Sequence, residues 1–224
     1  MEKIRRHHNL LKRQLITDAV GSSSNVLDVG CGFGGDLQKW QAQGVKLTAC
    51  DPDPSAIQEA LKRSRNIKYN IRLLVGDVSA CPREEFDVVC FNFSIHYIFQ
   101  SEYLFKVSIN NIVERIKPGG KLIGCIPDSD MILMKAPFKD QFGNFFDRDE
   151  RTGYGRFGER LFVRLVDTPF YRNGPRPEPI GYKDLLVSAL EKHGVHLISW
   201  EPLDSTAKHD ITKLYSKFIF VREM

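Results

Sequence analysis

The sequence contains no apolar run that approaches the length of a membrane span, so a membrane-spanning chain is not expected. Cysteine is sparse and odd in number: Cys31, Cys50, Cys81, Cys90 and Cys125 are the five in 224 residues. No C-x-x-C occurs, and neither cysteine nor histidine shows metal-ligand spacing, which argues against a zinc module and a disulfide framework. Three of the five lie in or beside apolar runs and read as buried thiols of a reducing compartment. The basic N-terminus "MEKIRRHHNL" has no apolar core behind it, so no secretory signal is expected. Internal repeats and low-complexity tracts are missing, as is a Lys-x-Asp-Gly nucleotidyl-transfer motif. Neither sign of charge dominates. The net charge of +4 decides nothing by itself, and only two local clusters stand out, "KIRRHHNLLKR" (Lys3 to Arg13) and "KRSR" (Lys62 to Arg65). Either cluster is a solvated face or a phosphate contact.

What is present is an alternation of short apolar runs with helical periods. Leu10–Val20 reads as a helix ended by "GSSSN" (Gly21 to Asn25), and Val26–Val29 as a strand followed by a glycine turn. Asp36–Gln43 is helical and Lys46–Cys50 a strand; "DPDP" then leads into a helix over Ser55–Ser64. Ile71–Val75 is a third strand, and "FDVVCFNF" (Phe86 to Phe93) a strand buried on both faces. Tyr103–Ile116 is a helix stopped by "KPGG", with a strand over Lys121–Ile126. This pattern predicts an α/β fold, a mostly parallel sheet with helices on both sides and ligands beyond the C-terminal strand ends. After Asp128 the helical period disappears. Residues 128–171 read as an inserted excursion of loops and short strands, with Leu161–Val166 a strand returning toward the core. "NGPRPEP" is an extended segment stiffened by proline. A helix over Tyr182–His193 and strands at His196–Ser199 and Lys217–Val221 complete a seven-stranded sheet. One domain over 1–224 is expected, the excursion serving as an insertion or lid.

The glycine turn "VLDVGCGFGGD" (Val26 to Asp36) contains G-x-G-x-x-G at Gly30, Gly32 and Gly35, and Asp51 follows about 20 residues on. By spacing alone this fits a dinucleotide. Two acids point elsewhere. Asp28 sits two residues before Gly30, where a carboxylate disfavours a pyrophosphate, and Asp36 adds negative charge at the start of the following helix. A ligand with ribose and positive charge fits better, and S-adenosylmethionine has both.

Five stretches carry a closer resemblance: "VLDVGCGFGGD", "CDPD", "GDVS" (Gly76 to Ser79), "FDVVCFNFSIHYIF" and "KPGGKL". Their succession resembles a Rossmann-like class I methyltransferase. "HHNLLKRQLI", "GFGGD", "FNFSIHYIF", "EPIGYKDLLVSALEKHGVHLI" and "YSKFIF" are similar to motifs of the mRNA cap guanine-N7 methyltransferases, including the methyltransferase part of large-DNA-virus capping enzymes. The resemblance covers nearly the whole chain outside Asp128 to Tyr171. It implies S-adenosylmethionine as cofactor, S-adenosylhomocysteine as product, 5′-capped RNA as partner and no metal. It further implies a cytoplasmic location, and possible companionship with triphosphatase and guanylyltransferase domains of one longer polypeptide.

Carried over by residue, the resemblance places Lys12 and Asp36 near the methionine end, with Asp28 and Gly30 in the turn beneath it and Asn92 alongside. Asp51 would accept from the ribose hydroxyls and Asp77 from adenine, although Asp77 in "GDVS" also suits a turn cap. The guanine candidates are Phe93, His96, Tyr97, Glu178 and Tyr215. Phe93 and Tyr215 equally suit core packing, and His96 a structural role. Glu178 lies between Pro177 and Pro179, which hold its backbone extended. A rigid carboxylate there matches guanine's N1–H and N2–H donors and favours the charge gained on methylation at N7. Without the resemblance it is an exposed acid in a loop. Arg63 stands where the family has a basic residue on the helix after "CDPD" and, assisted by Arg65, is the phosphate candidate; Phe33 departs from the family by replacing its lysine in the glycine turn. Guanine N7 is already a nucleophile, so no general base is nominated. The rival readings are a small-molecule or protein methyltransferase, a non-catalytic RNA-binding or stimulatory module, and a dinucleotide oxidoreductase.

Overall fold

The computed structural model describes residues 2–21, 24–65, 67, 70–149, 155–166, 171, 173–208 and 210–224. In chain order its first half consists of α1 (Glu2–Ala19), β1 (Asn25–Val29), α2 (Leu37–Ala42), β2 (Lys46–Asp51), α3 (Pro54–Ser64), β3 (Ile71–Val75), β4 (Phe86–Asn92), α4 (Glu102–Arg115) and β5 (Ile116–Pro127). The second half consists of α5 (Ser129–Lys135), β6 (Phe138–Lys139), β7 (Phe145–Arg148), β8 (Arg160–Arg164), β9 (Arg176–Pro179), α6 (Lys183–Glu191), β10 (Val195–Pro202) and β11 (Tyr215–Arg222). The expected elements are all present. Their limits shift where tertiary pairing extends them: β5 takes in "KPGG" and pairs with β4 from Ile116 onward.

Seven strands form the main sheet in the order β10-β11-β5-β4-β1-β2-β3. The five central and right-hand strands pair in parallel, and β11 runs antiparallel to both β5 and β10. The order reverses between β1 and β4, so the ends of these two strands form the crevice in which such sheets take ligands. β1 and β4 are almost wholly buried, as unbroken apolar strands covered on both faces must be. Asp53 caps α3 by accepting from Ser55 N, with Pro54 at the first helical position, and Ser101 caps α4 through Leu104 N.

The excursion folds into a second, antiparallel sheet in the order β6-β7-β8-β9. The proline-rich segment expected to be merely extended pairs with β8 as its edge strand, Leu161 facing Glu178 and Val163 facing Arg176. Proline is tolerated there because an edge strand needs no donor on its outer side. Phe146, Leu161 and Val163 are buried and join the same apolar core as the main sheet. Residues 150–154 and 167–170 of the excursion, and 22–23 of the loop before β1, lie outside the described residues. Asp128 anchors the start of the excursion. It caps α5 and accepts from Trp200 Nε1 at 2.9 Å and Ser216 Oγ at 2.5 Å, tying α5 to β10 and β11.

Candidate active site

At the end of β1 the chain turns at Gly30, whose φ of +76° lies in the left-handed region that favours glycine. A Cβ there would also meet Ser94 Cβ at 2.4 Å. Ser94 itself donates to Val29 O at 2.6 Å, so the ends of β1 and β4 are in direct contact through this glycine. Gly30 N and Cys31 N both donate to Cys50 O, binding the turn to β2. An added Cβ at Gly34 would lie 3.2 Å from Ala60 Cβ of α3, so this glycine allows the turn and α3 to pack closely, while Gly35 faces open space.

Asp36 is the hub of the turn. Lys12 Nζ donates to its Oδ2 at 2.9 Å, Lys39 Nζ to its Oδ1 at 2.5 Å, and Asn92 Nδ2 to its Oδ2 at 3.0 Å. Lys39 also reaches Gly35 O and Asn9 Oδ1. Burial alone would push the Asp36 carboxyl up, but Lys12 and then Lys39 bring it down to about 2. This corrects the reading of Asp36 as a net negative charge added at the helix start. It makes no side-chain cap to α2, and two lysines face it. Asp28 is corrected too. It is 2% exposed and accepts from Trp40 Nε1 at 3.0 Å beneath the turn, so it is not an open charge at the mouth. Burial first and Asp36 second push its pKa up to about 7.

The remaining cofactor candidates line the same edge. Asp51 accepts from Gly32 N at 2.8 Å through Oδ2 and from Asp53 N at 3.0 Å through Oδ1. Each carboxylate oxygen has capacity for a second donor, so a fixed acceptor pair faces the turn. Asp77 Oδ1 accepts from Ser79 N and Ser79 Oγ, which is the capping role that its surroundings in "GDVS" also allowed. Gly76 N donates to Asp51 O, which sets Asp77 beside the end of β2. Asn92 Oδ1 is buried without a hydrogen-bond partner among the described residues. A buried orphan acceptor next to Asp36 and Lys12 suits a ligand ammonium, and the Asp51 oxygens suit vicinal hydroxyls. The residues present thus fit an amino-acid-bearing nucleoside.

Beyond the end of β4 lies a second cluster of candidate side chains. Phe93 adopts φ +62°, the single positive φ of a non-glycine among the described residues. Its ring packs edge-on to Tyr215 at 5.2 Å and stacks with His8 at 5.8 Å. A 3-10 segment, Ile95–Gln100, carries His96, which is 2% exposed, and Tyr97, whose ring lies 4.4 Å from that of His96. β9 brings Glu178, 7% exposed, against them. Glu178 Oε2 stands 3.3 Å from His96 Nε2, and the Tyr171 hydroxyl donates to Oε1. The two ring nitrogens of His96 form no hydrogen bond among the described residues. Burial pushes the Glu178 carboxyl up, but His96 and then the Tyr171 and Tyr97 hydroxyls hold it below the usual range, so it is ionised at neutral pH. Burial, and Glu178 after it, raise the phenols of Tyr97, Tyr171 and Tyr215. Glu178 is therefore an anion beside three neutral phenols.

The structure brings together Lys12, Asp28, Gly30, Asp36 and Asn92 around the turn, Asp51 and Asp77 at its outer edge, and Phe93, His96, Tyr97, Glu178 and Tyr215 beyond it. It does not bring Arg63 or Arg65 to them. Both are exposed on α3 or at its end, and Arg63 Nε donates to Glu59 one turn earlier at 3.0 Å. Sequence reasoning missed Lys39, Trp40, His8 and Tyr171. Lys39 stands three residues after Asp36, a spacing that signals a helical ion pair. His8 lay unremarked inside a basic cluster, and Tyr171 closed the excursion without any local pattern.

Asp28 makes stability depend on pH. Its folded pKa of about 7 lies above the ordinary 3.8, so the folded state binds more protons between these values. Stability should then fall as pH rises from about 4 to 7. In Asp28→Asn, which keeps the acceptor for Trp40, melting temperatures across this window should lose that component. An unchanged pH profile would remove Asp28 as its source.

Comparison with known proteins supplies the last observation. The family model described as the mRNA (guanine-N(7))-methyltransferase domain matches residues 1–218. The mRNA cap guanine-N(7) methyltransferase of Saccharomyces cerevisiae is 29% identical over 96% of this chain and 56% of its own length. That of Eremothecium gossypii is 33% identical over 96% and 56%, and that of Candida glabrata 29% over 92% and 52%. The chain thus spans about half the length of these relatives. In fold it matches an S-adenosylmethionine-dependent methyltransferase from Clostridium acetobutylicum, with a TM-score of 0.66 and 13% identity over 97% of this chain and 91% of that one. It also matches the N-methyltransferase NodS from Bradyrhizobium japonicum in complex with S-adenosyl-l-homocysteine, with a TM-score of 0.62 and 16% identity over 98% and 87%. The seven-stranded sheet is accordingly the Rossmann-like class I methyltransferase fold. With the family model matched from Met1 to Phe218, across both sheets and both halves of the cleft, the chain belongs to the mRNA guanine-N7 methyltransferase domain family.

Proposed function

We propose that this chain moves a methyl group from S-adenosylmethionine to N7 of the terminal guanosine of GpppN-capped RNA. The observation that carries the reading is Glu178: a buried, ionised carboxylate among aromatic rings, one strand end away from the glycine turn. A carboxylate in that setting pairs with guanine N1–H and N2–H and disfavours bases that present acceptors on the same edge, because a buried anion left unpaired is costly. Phe93 and Tyr215 offer faces and edges against the purine, a contact worth about 1–3 kcal/mol.

The bound cofactor supplies an electrophilic methyl on a sulfonium. Asn92 Oδ1 would receive its ammonium, Asp51 its ribose hydroxyls, and Asp77 its adenine, with Lys12 and Lys39 holding Asp36 in place beneath. Guanine N7 carries a lone pair, so no residue has to remove a proton. The side chains orient the two partners in line, an effect worth roughly 7–11 kcal/mol in favourable cases. Glu178 also stabilises the positive charge that the purine acquires. We read the second sheet as the wall that carries Glu178 and Tyr171 over the cleft.

The reading extends to the setting of the chain. The five free thiols, four of them buried, support a reducing cytoplasmic location. A place beside further capping domains, triphosphatase and guanylyltransferase among them, belongs to this proposal as what the resemblance implies. Kinship with large-DNA-virus capping enzymes belongs to the same proposal.

Incubation with methyl-labelled S-adenosylmethionine and GpppG-capped RNA should place the label in N7-methylguanosine after nuclease digestion. No label there, with cofactor bound, contradicts the reading. Glu178→Ala should lower kcat/KM on capped RNA about 100-fold, the scale expected for a lost charge-assisted pair. Its cofactor Kd by calorimetry should stay as in the wild type; parallel loss of cofactor affinity would deny Glu178 a guanine role. Asp51→Ala should act in reverse, raising the cofactor Kd about 10-fold or more. An unchanged Kd would take Asp51 out of the site.

A further inference from the structure

The cap carries three phosphates between its two nucleosides, and Arg63 and Arg65, the cations that the sequence suggested for them, lie on α3 and at its end, away from the candidate site. Lys12 and Lys39 pair with Asp36, and Arg63 with Glu59. Phe33 gives the glycine turn an aromatic ring in place of a charge. Among the described residues, Arg176 is a further cation beside Glu178. Arg176 begins β9, two residues before Glu178. Side chains two apart on a strand point to the same face, so Arg176 shares the face of Glu178.

The pairing register identifies that face. Arg176 opposes Val163 and Glu178 opposes Leu161, while Val163 in turn opposes Phe146. Val163, Leu161 and Phe146 are buried at 1%, 2% and 0% exposure, and Phe146 meets the edge of Tyr215. This is the inner face of the second sheet, turned toward the main sheet and the pocket. Arg176 is nevertheless exposed. An exposed side chain on the inner face of an edge strand overhangs the open cleft.

Two neighbours fix which part of the cleft. Tyr97 stands at the lip, 41% exposed. Its phenol is raised first by burial and then by Glu178, with Arg176 opposing. Asp53 follows Asp51 at the end of β2. Its carboxyl is lowered chiefly by Ser55, with a last contribution from Arg176. Arg176 is thus within electrostatic reach of both Tyr97 and Asp53, and with its place on the inner face of β9 this sets it on the side of the site where Glu178 stands. It forms no ion pair among the described residues. A guanidinium fork there matches phosphate oxygens in two parallel bonds.

We propose that Arg176 holds the triphosphate bridge of the capped end, serving as a positioning residue for guanine. The inference rests on the cap-methylation reading, and binding measurements separate the two. Calorimetry with the S-adenosylhomocysteine-loaded protein should compare guanosine, GTP and GpppG as ligands. For Arg176→Ala, Kd for GTP and GpppG should rise about 10-fold, and Kd for guanosine should stay within twofold of the wild type. Arg176→Lys should recover part of the loss, and the slope of log K against log salt should fall by about one in Arg176→Ala. Equal losses for guanosine and GpppG, or no loss for either, would overturn the assignment while leaving the cap reading intact. A wild type that bound neither ligand would overturn both. Melting temperature controls for folding, and the exposed position predicts no change.

Discussion

The site depends on one buried carboxylate. Asp36 is nine-tenths or more removed from solvent and joins three parts of the chain that are far apart in sequence: α1 through Lys12, α2 through Lys39, and the end of β4 through Asn92. Removing one partner of such a buried pair leaves an uncompensated charge, commonly at a cost of about 3–5 kcal/mol. The pairing also fixes direction. Because Asn92 Nδ2 is spent on Asp36, its Oδ1 is left as an acceptor, and the N-terminal helix is held across the turn where Lys12 lies 5.8 Å from the Phe93 ring. The cofactor side and the aromatic side of the cleft are thus set by the same ion pair.

The two halves use opposite electrostatics. Around the turn, the negative charge of Asp36 is met by two lysines, and Asp28 is partly protonated at neutral pH. Beyond β4, Glu178 accepts from the Tyr171 hydroxyl and stands 3.3 Å from the His96 ring. An anion so placed is available to a ligand with donors of its own. A purine that becomes cationic on methylation is stabilised there as its charge develops.

The main sheet was legible because its strands are buried runs such as "FDVVCFNF", bounded by glycine and proline signals and alternating with helices. The second sheet was not. Its strands run two to five residues, too short for a period to register, and β9 became a strand only through its pairing with β8. Glu178 could be singled out by resemblance and by its flanking prolines, but its partners Tyr171 and His96 come from separate segments. The turn shows the same limit. Its glycines and acids were readable, yet whether Asp36 stood open or paired depended on Lys12, 24 residues away. Arg63, favoured from sequence, shows that a helix position alone does not aim a side chain at a cleft.

A crystal structure of the chain with S-adenosylhomocysteine and GpppG tests the central claim most directly. The account predicts guanine with N1 and N2 within hydrogen-bonding distance of the Glu178 carboxylate and its ring against Phe93 and Tyr215. N7 should then point toward the sulfur of the cofactor product. Guanine bound elsewhere, with Glu178 still engaged only by Tyr171, Tyr97 and His96, would contradict it.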